Sequence, residues 1–166
     1  MTSRDLALDR ADILETVTWY FMAIDRREFA RLHRVFTPDV EAVFEGVHVA
    51  GGIDRLLAFI TGASDVSLPV DVVDLQLSMH FIGNHVATID GDNARTETYA
   101  LAHLVDRPAG TPRMRTRGLR YVDELVRTPE GWRIAKREHL CDWMRDDTFV
   151  WAAPSVVPGQ LVEPPS

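Results

Sequence analysis

Two segments far apart in the chain carry the residue types needed for proton transfer: Tyr20-Phe21-Met22-Ala23-Ile24-Asp25 and Ser78-Met79-His80-Phe81-Ile82-Gly83-Asn84. A carboxylate at the end of an apolar helix can hold a strand histidine in one tautomer, which leaves the neutral ring as a positioned general base. If Asp25 and His80 meet in space, the chemistry is proton abstraction. Spacing alone leaves a plainer reading open, in which Asp25 is a helix-end charge and His80 sits on a solvated strand face. Tyr20 is similarly divided between a core aromatic and a phenol that donates to a substrate oxygen. Arg137 reads as a surface arginine by default; turned inward, its guanidinium could hold an anionic leaving group or a developing enolate oxygen.

These side chains need elements to position them. From Asp9 to Arg26, Ile13, Val17, Tyr20, Phe21 and Ile24 recur at three- and four-residue spacing, so they form one stripe of an amphipathic helix with Asp25 at its edge. A second short helix is expected from Glu28 to Phe36, stopped by Thr37-Pro38. Val40 to Phe44 and Val47 to Ala50 read as short strands, and Gly51-Gly52 opens a third helix through Ile60. Residues Gly62 to Asp74 read as a loop that could cover a pocket entrance. Four long strands follow: Leu75 to Ile89, Ala94 to Asp106, Met114 to Arg127 and Trp132 to Trp143. Turn residues at Asp90-Gly91-Asp92, Pro108-Ala109-Gly110 and Thr128-Pro129-Glu130-Gly131 separate them, as in antiparallel hairpins. Three helices followed by a four-strand meander make an α+β fold.

Two-residue alternation puts Gln76, Ser78 and His80 on one side of their strand and Leu75, Leu77, Met79 and Phe81 on the other. The same rule places Trp132 and Arg137 on opposite faces of the last strand, unless a bulge intervenes. A regular strand would turn Trp132 into one apolar layer and Arg137 into the pocket beside Tyr121. It also gives His80 and His85 opposite parity, so with His33 on a helix no histidine cluster assembles for a metal. The alternating run Arg113-Met114-Arg115-Thr116-Arg117 reads as a solvated face.

The 166 residues, 46% hydrophobic, suit one domain. A formal charge of -7 and a sequence pI near 5.3 argue against a nucleic-acid partner, which needs clustered basic residues. There is no apolar run of membrane-spanning length and no secretory-signal pattern at Met1 to Arg10, so a soluble cytoplasmic protein is expected. Cys141 is the one cysteine and reads as a buried small hydrophobe. No phosphate loop, dinucleotide fingerprint or metal motif is present, so a mechanism without cofactor or metal is expected.

Taken together, the Tyr20-x4-Asp25 helix end, Phe36-Thr37-Pro38-Asp39-Val40, His80-Phe81-Ile82-Gly83-Asn84, Asp90-Gly91-Asp92-x-Ala94 and Gly131-Trp132-Arg133-Ile134 resemble the SnoaL-like branch of the nuclear-transport-factor-2-like superfamily. The resemblance spans about Asp9 to Trp143. Residues 1–150 are then one SnoaL-like domain and 151–166 a proline-rich tail. It implies a cone-shaped fold in which a curved antiparallel sheet wraps the long first helix, and a homo-oligomer, dimer or trimer, assembled through the exposed sheet face.

Within that branch the pattern is most similar to the scytalone dehydratase, bile-acid dehydratase and hexachlorocyclohexane dehydrochlorinase families, in which an aspartate-supported histidine removes a proton during elimination. The resemblance implies that Asp25, His80, Tyr20 and Arg137 are catalytic, and that Phe21, Phe44, His103, Leu119 and Tyr121 contact substrate. Phe44 falls where scytalone dehydratase has a tyrosine, so scytalone itself is not the expected substrate. The resulting expectation is a lyase (dehydratase or dehydrohalogenase type) or isomerase acting on a small apolar carbonyl compound, a halogenated compound, or a polyketide- or steroid-like metabolite. Two alternatives stand beside it: a non-catalytic small-ligand binding module or accessory subunit, and a polyketide cyclase or ketosteroid-isomerase-like enzyme in which Asp25 itself is the base.

Overall fold

The apolar stripe of the first segment folds as the long helix α1, Ser3–Asp25, with Ile13, Val17, Tyr20 and Phe21 buried along one side. The computed structural model describes residues 3–64, 75–106 and 113–148. The helix is stopped by Arg27, whose positive φ of 59° closes the last turn through a bond from the Glu28 amide to the Ala23 carbonyl. A 3-10 turn at Phe29–Arg34 follows in place of the expected α-helix.

Strand β1 runs Phe36–Phe44, so Thr37-Pro38 lies inside a strand and not at a helix stop. Pro38 is tolerated because the pairing of β1 with the last strand is interrupted between Phe36 and Glu41, where no ladder amide is required of it. Strand β2, Val47–Val49, turns back on β1, and helix α2, Gly52–Ile60, packs against β1. Four long strands complete the chain: β3 Leu77–Asp90, β4 Asn93–Asp106, β5 Arg113–Thr128 and β6 Gly131–Thr148.

The six strands form one sheet in the order β2-β1-β6-β5-β4-β3. The meander β3 to β6 is antiparallel, but β1 joins β6 in parallel, so the sheet is mixed where an antiparallel one was expected. The architecture is α+β, with α1 packed against β3 and β6 and the core between helix and sheet.

The open end of α1 is tied to the β5–β6 turn. Asp9 accepts from Trp132 Nε1 at 3.3 Å and from Arg127 Nη2 at 2.7 Å, while the Arg127 guanidinium stacks over the Trp132 ring at 4.5 Å. Anchored there, α1 brings its other end, Tyr20 to Asp25, to the inner face of β3 and β5.

Three irregularities decide which side chains face inward. On β3, Gly83 and Asn84 form a bulge between the Ile82–Ala100 and His85–Thr98 pairs. It returns His85 to the inner face, where it bonds Thr98 Oγ1 at 2.8 Å, so His80 and His85 share a face despite their numbering. On β6, Ala135 is the extra residue between the Ile134–Leu125 and Lys136–Glu124 pairs. Trp132 and Arg137, expected on opposite faces, are therefore both buried on the inner one. A second extra residue on β6, Asp142, sits opposite the Gly118–Leu119 step. The expected loop lies outside the described residues from 65 to 74, as do the Pro108-Ala109-Gly110 turn and the tail from 151.

Candidate active site

Asp25 ends α1, where the helix dipole presents partial negative charge and a carboxylate is electrostatically misplaced. Two donors from β3 compensate it. The His80 backbone amide donates to Oδ2 at 2.7 Å, and His80 Nδ1 lies 2.6 Å from Oδ1. Each carboxylate oxygen thus holds one donor of the same residue. An ionised carboxylate accepts only, so this contact puts the ring proton on Nδ1 and leaves the Nε2 lone pair free. Both side chains are buried, at 7% and 8% relative exposure for His80 and Asp25. The solvated-face reading of His80 does not hold: Ser78 and His80 turn inward, while Met79 and Phe81 face solvent.

His80 lines a cavity of about 100 Å³ between α1, α2 and the sheet. Its walls are largely apolar, including Ile24, Phe44, Phe59, Ile60, Leu104 and Leu119. Its polar groups are Ser78, His80, Arg117, His139, the phenols of Tyr20 and Tyr121, and the exposed Arg27. Burial raises both phenols above their ordinary value, against the opposing pull of Arg137, so they stay protonated and can donate. Phe21 packs between His80, Tyr20 and Tyr121, with ring centroids 5.3, 5.2 and 5.0 Å away, and supports the histidine from behind. A larger depression, about 460 Å³, lies between α1, the 3-10 turn and the β5–β6 turn. It is edged by solvated charges such as Asp12, Glu15, Arg31 and Arg133 and contains no residue pair suited to proton transfer.

Two expected site residues are found elsewhere. His103 faces outward on β4, bonded to Thr116 Oγ1 at 3.1 Å and beside the exposed Phe81; its neighbour Leu104 takes the inner position. A one-residue change of register reverses the face of a strand side chain. Arg137 is inward and fully buried, but its guanidinium is held bidentate by Asp123, at 2.7 Å on both arms, with both side chains at 0% exposure. It lies 3.9 Å from the Tyr20 ring and 4.8 Å from the Tyr121 ring, so these aromatics, and not Asp25 or His80, are its neighbours.

Several residues of the cavity were not anticipated, Arg117 and His139 among them. Arg117 belongs to the run read as a solvated face, yet Arg115 and Arg117 are 6% and 4% exposed. Arg115 pairs with Asp106, and Arg117 Nη2 donates to Glu45 Oε1. The signal available was parity: Arg117, Leu119 and Tyr121 share a face, and two of the three already read as lining. His139 stacks on Phe44 at 5.1 Å and meets Tyr121 edge-on at 4.9 Å. Burial, helped by Arg117, Arg137 and His80, depresses it to about 3, so it is neutral. Only the bulge at Ala135 gives His139 the inward parity of Trp132. Cys141 is half-buried, with its thiol 3.5 Å from the Trp143 carbonyl.

The profile of the SnoaL-like domain matches residues 5–138. The chain belongs to this family. Among relatives of the SnoaL-like chain, an uncharacterised protein of Mycobacterium tuberculosis is 35% identical over 133 residues, which is 78% of this chain and 82% of that one. Among solved structures, the type 3 hexachlorocyclohexane dehydrochlorinase of Novosphingobium barchaimii superposes with a TM-score of 0.75 at 16% identity, covering 93% of this chain and all of its own. A scytalone dehydratase-like protein of Novosphingobium aromaticivorans gives 0.71 at 20% identity, covering 94% and 97%. The nuclear-transport-factor-2-like cone fold follows from these matches, and the helix-in-sheet arrangement described above is its form here.

Proposed function

We propose that this SnoaL-like protein is a lyase or isomerase that acts by proton abstraction on a small apolar carbonyl compound. The observation that carries the proposal is the two-point contact between Asp25 and His80 beside an apolar-walled cavity. His80 Nε2 takes the proton from a carbon acid, and Asp25 fixes the tautomer and stabilises the imidazolium that forms. Tyr20 and Tyr121 supply neutral donors, and Arg137, neutralised by Asp123, holds both rings in place. The similarity to a dehydrochlorinase and to a dehydratase-like protein supports elimination as the reaction type. A cavity of about 100 Å³ is below the ~300–1,000 Å³ of most ligand pockets, which favours a compact substrate over a steroid-sized one.

Asp25 as the base is disfavoured, because both of its oxygens are engaged by His80. The test is hydrogen–deuterium exchange at the α-carbon of small ketones and β-hydroxy ketones in deuterated buffer, followed by NMR. Wild type is expected to exchange the α-proton. His80→Ala should lower the rate by about 10²–10⁴-fold, the usual worth of a positioned general base. Asp25→Asn should leave more activity than His80→Ala; the reverse order makes Asp25 the base, and equal rates in all three remove the pair from the chemistry.

We also propose a homo-oligomer assembled through the outer sheet face. Its support is a row of register partners across four strands, Phe81, Leu101, Gly118 and Trp143, in which the three large side chains are 41–56% exposed.

A further inference from the structure

Three buried polar groups of the cavity have no hydrogen-bond partner among the described residues: Ser78 Oγ, Arg117 Nε and His139 Nδ1. Their residues are only 3%, 4% and 4% exposed. His139 Nδ1 stands 3.8 Å from Glu45 Oε1, beyond hydrogen-bond length. A buried polar group left unpaired is unfavourable unless something else engages it, and three such groups on residues lining one small cavity point to polar ligand atoms that engage them.

The charges around the cavity narrow what that atom is. Two cations line the wall: Arg117, which is buried and has one arm engaged by Glu45, and Arg27, which is exposed and donates to the Leu75 carbonyl at 2.7 Å. With Asp25 behind His80, a substrate carboxylate would bring a third negative charge to a site with one buried cation. A neutral oxygen that becomes negative only during the reaction suits the site better, since a fixed donor in a water-poor cavity then acts mainly on the transition state.

We infer that Arg117, with His139 beside it across Glu45, forms the oxygen-binding subsite of the cavity, and that its ligand is the carbonyl oxygen of a neutral ketone or ester bearing an acidic α-hydrogen. Glu45 is a positioning residue that holds the Arg117 fork in place. The inference deepens the general-base reading and rests on it for the reaction, though not for the binding. In the reaction, His80 Nε2 takes the α-proton, the C–H electron pair forms a carbon–carbon double bond, and the carbonyl π pair moves onto the oxygen at Arg117. For a β-hydroxy ketone, the enolate pair then re-forms the carbonyl, the Cα–Cβ double bond forms, and the Cβ–O bond breaks. The departing oxygen takes the proton back from the His80 imidazolium. The products are an α,β-unsaturated ketone and water, and His80 returns to its neutral form.

The experiment uses 4-nitrophenol, whose phenolate oxygen stands in for the enolate oxygen and whose visible band reports the bound ionised form. Wild type should bind the phenolate. Arg117→Gln should weaken that binding about 10–100-fold, the worth of a hydrogen bond to a charged group. Because Arg117→Gln strands the Glu45 carboxylate and can impair folding, the double variant Arg117→Gln/Glu45→Gln is measured beside it, with circular dichroism to verify the fold. The inference is overturned if wild type fails to bind the phenolate, or if the folded double variant binds it as tightly as wild type. His80→Gln should keep most of the binding. Arg117-dependent binding without His80-dependent α-proton exchange in any compound upholds the subsite and defeats the general-base reading alone.

Discussion

Asp25 and His80 were legible as residue types, and their meeting was not. The two lie 55 positions apart, and the anchoring of α1 at Asp9 and Trp132 helps set the height at which its far end reaches β3. Arg137 shows the limit of reasoning from a residue type. Its sequence neighbourhood suits an anion-binding arginine, whereas its carboxylate partner, Asp123, stands on another strand at a position that alternation alone makes unremarkable. The closed pair has a consequence for stability. Arg137→Met strands a fully buried Asp123 carboxylate, and breaking a buried ion pair from one side costs about 3–5 kcal/mol. The double variant Arg137→Met/Asp123→Leu removes both charges and should recover most of that loss in urea or thermal unfolding. It should lower α-proton exchange less than His80→Ala does, since the pair reaches the cavity only through the Tyr20 and Tyr121 rings it supports. A single variant as stable as wild type would show that the charge is satisfied in another way.

At the scale of elements, the helix stripe and the four long strands were readable because hydrophobic period and turn residues agree. Each bulge was unreadable because one inserted residue reverses the parity of everything beyond it. Ala135 turns Arg137 and His139 inward, and Gly83-Asn84 turns His85 inward; small or turn-forming residues are the sole trace of either. The arginine run misled for a related reason. Alternation was correctly read in Arg113 to Arg117, but the carboxylates that let the sheet bury these residues, Asp106 and Glu45, come from β4 and the β1–β2 turn. The outer face of the same strands carries the opposite surprise. Trp143 lies over Gly118, where an added Cβ would come within 2.1 Å of its indole nitrogen, so the glycine makes room for an exposed tryptophan in the row with Phe81 and Leu101. Apolar rows of this kind mark contact surfaces. Light scattering of the wild-type chain should give a multiple of 18.7 kDa, and Phe81→Glu/Trp143→Glu should reduce it to that value. A monomeric wild type would refute assembly through this face.

For the molecule as a whole, these pairings mean that a chain of formal charge -7 carries three of its arginines inside the sheet, each against a carboxylate: Arg115 with Asp106, Arg117 with Glu45, and Arg137 with Asp123. A fold held this way is sensitive to acid. The hydrogen bond from Arg127 lowers the Asp9 carboxyl, and that from Arg113 lowers Asp106, both below the ordinary 3.8. Their stabilisation is therefore complete above that value and is lost as pH falls through the folded-state value. His139 acts over a higher window. Its folded-state value, depressed from 6.5 to about 3 chiefly by burial, means that between those limits the unfolded chain binds a proton that the folded chain does not. Stability then rises with pH from about 3 to 6.5 and is level above it, as far as this group decides. Arg117, Arg137 and His80 all oppose a charge on the ring, and Glu45 at 3.8 Å is the acidic side chain beside it. At about 1.4 kcal/mol per pH unit, the effect amounts to a few kcal/mol across the window. His139→Phe keeps an aromatic ring between Phe44 and Tyr121 and removes the titration. Its melting temperature should therefore fall less than that of wild type as pH is lowered from 6.5 to 4. Parallel declines in the two proteins would mean that the carboxylates alone carry the acid sensitivity, and that His139 is not held neutral by the cavity.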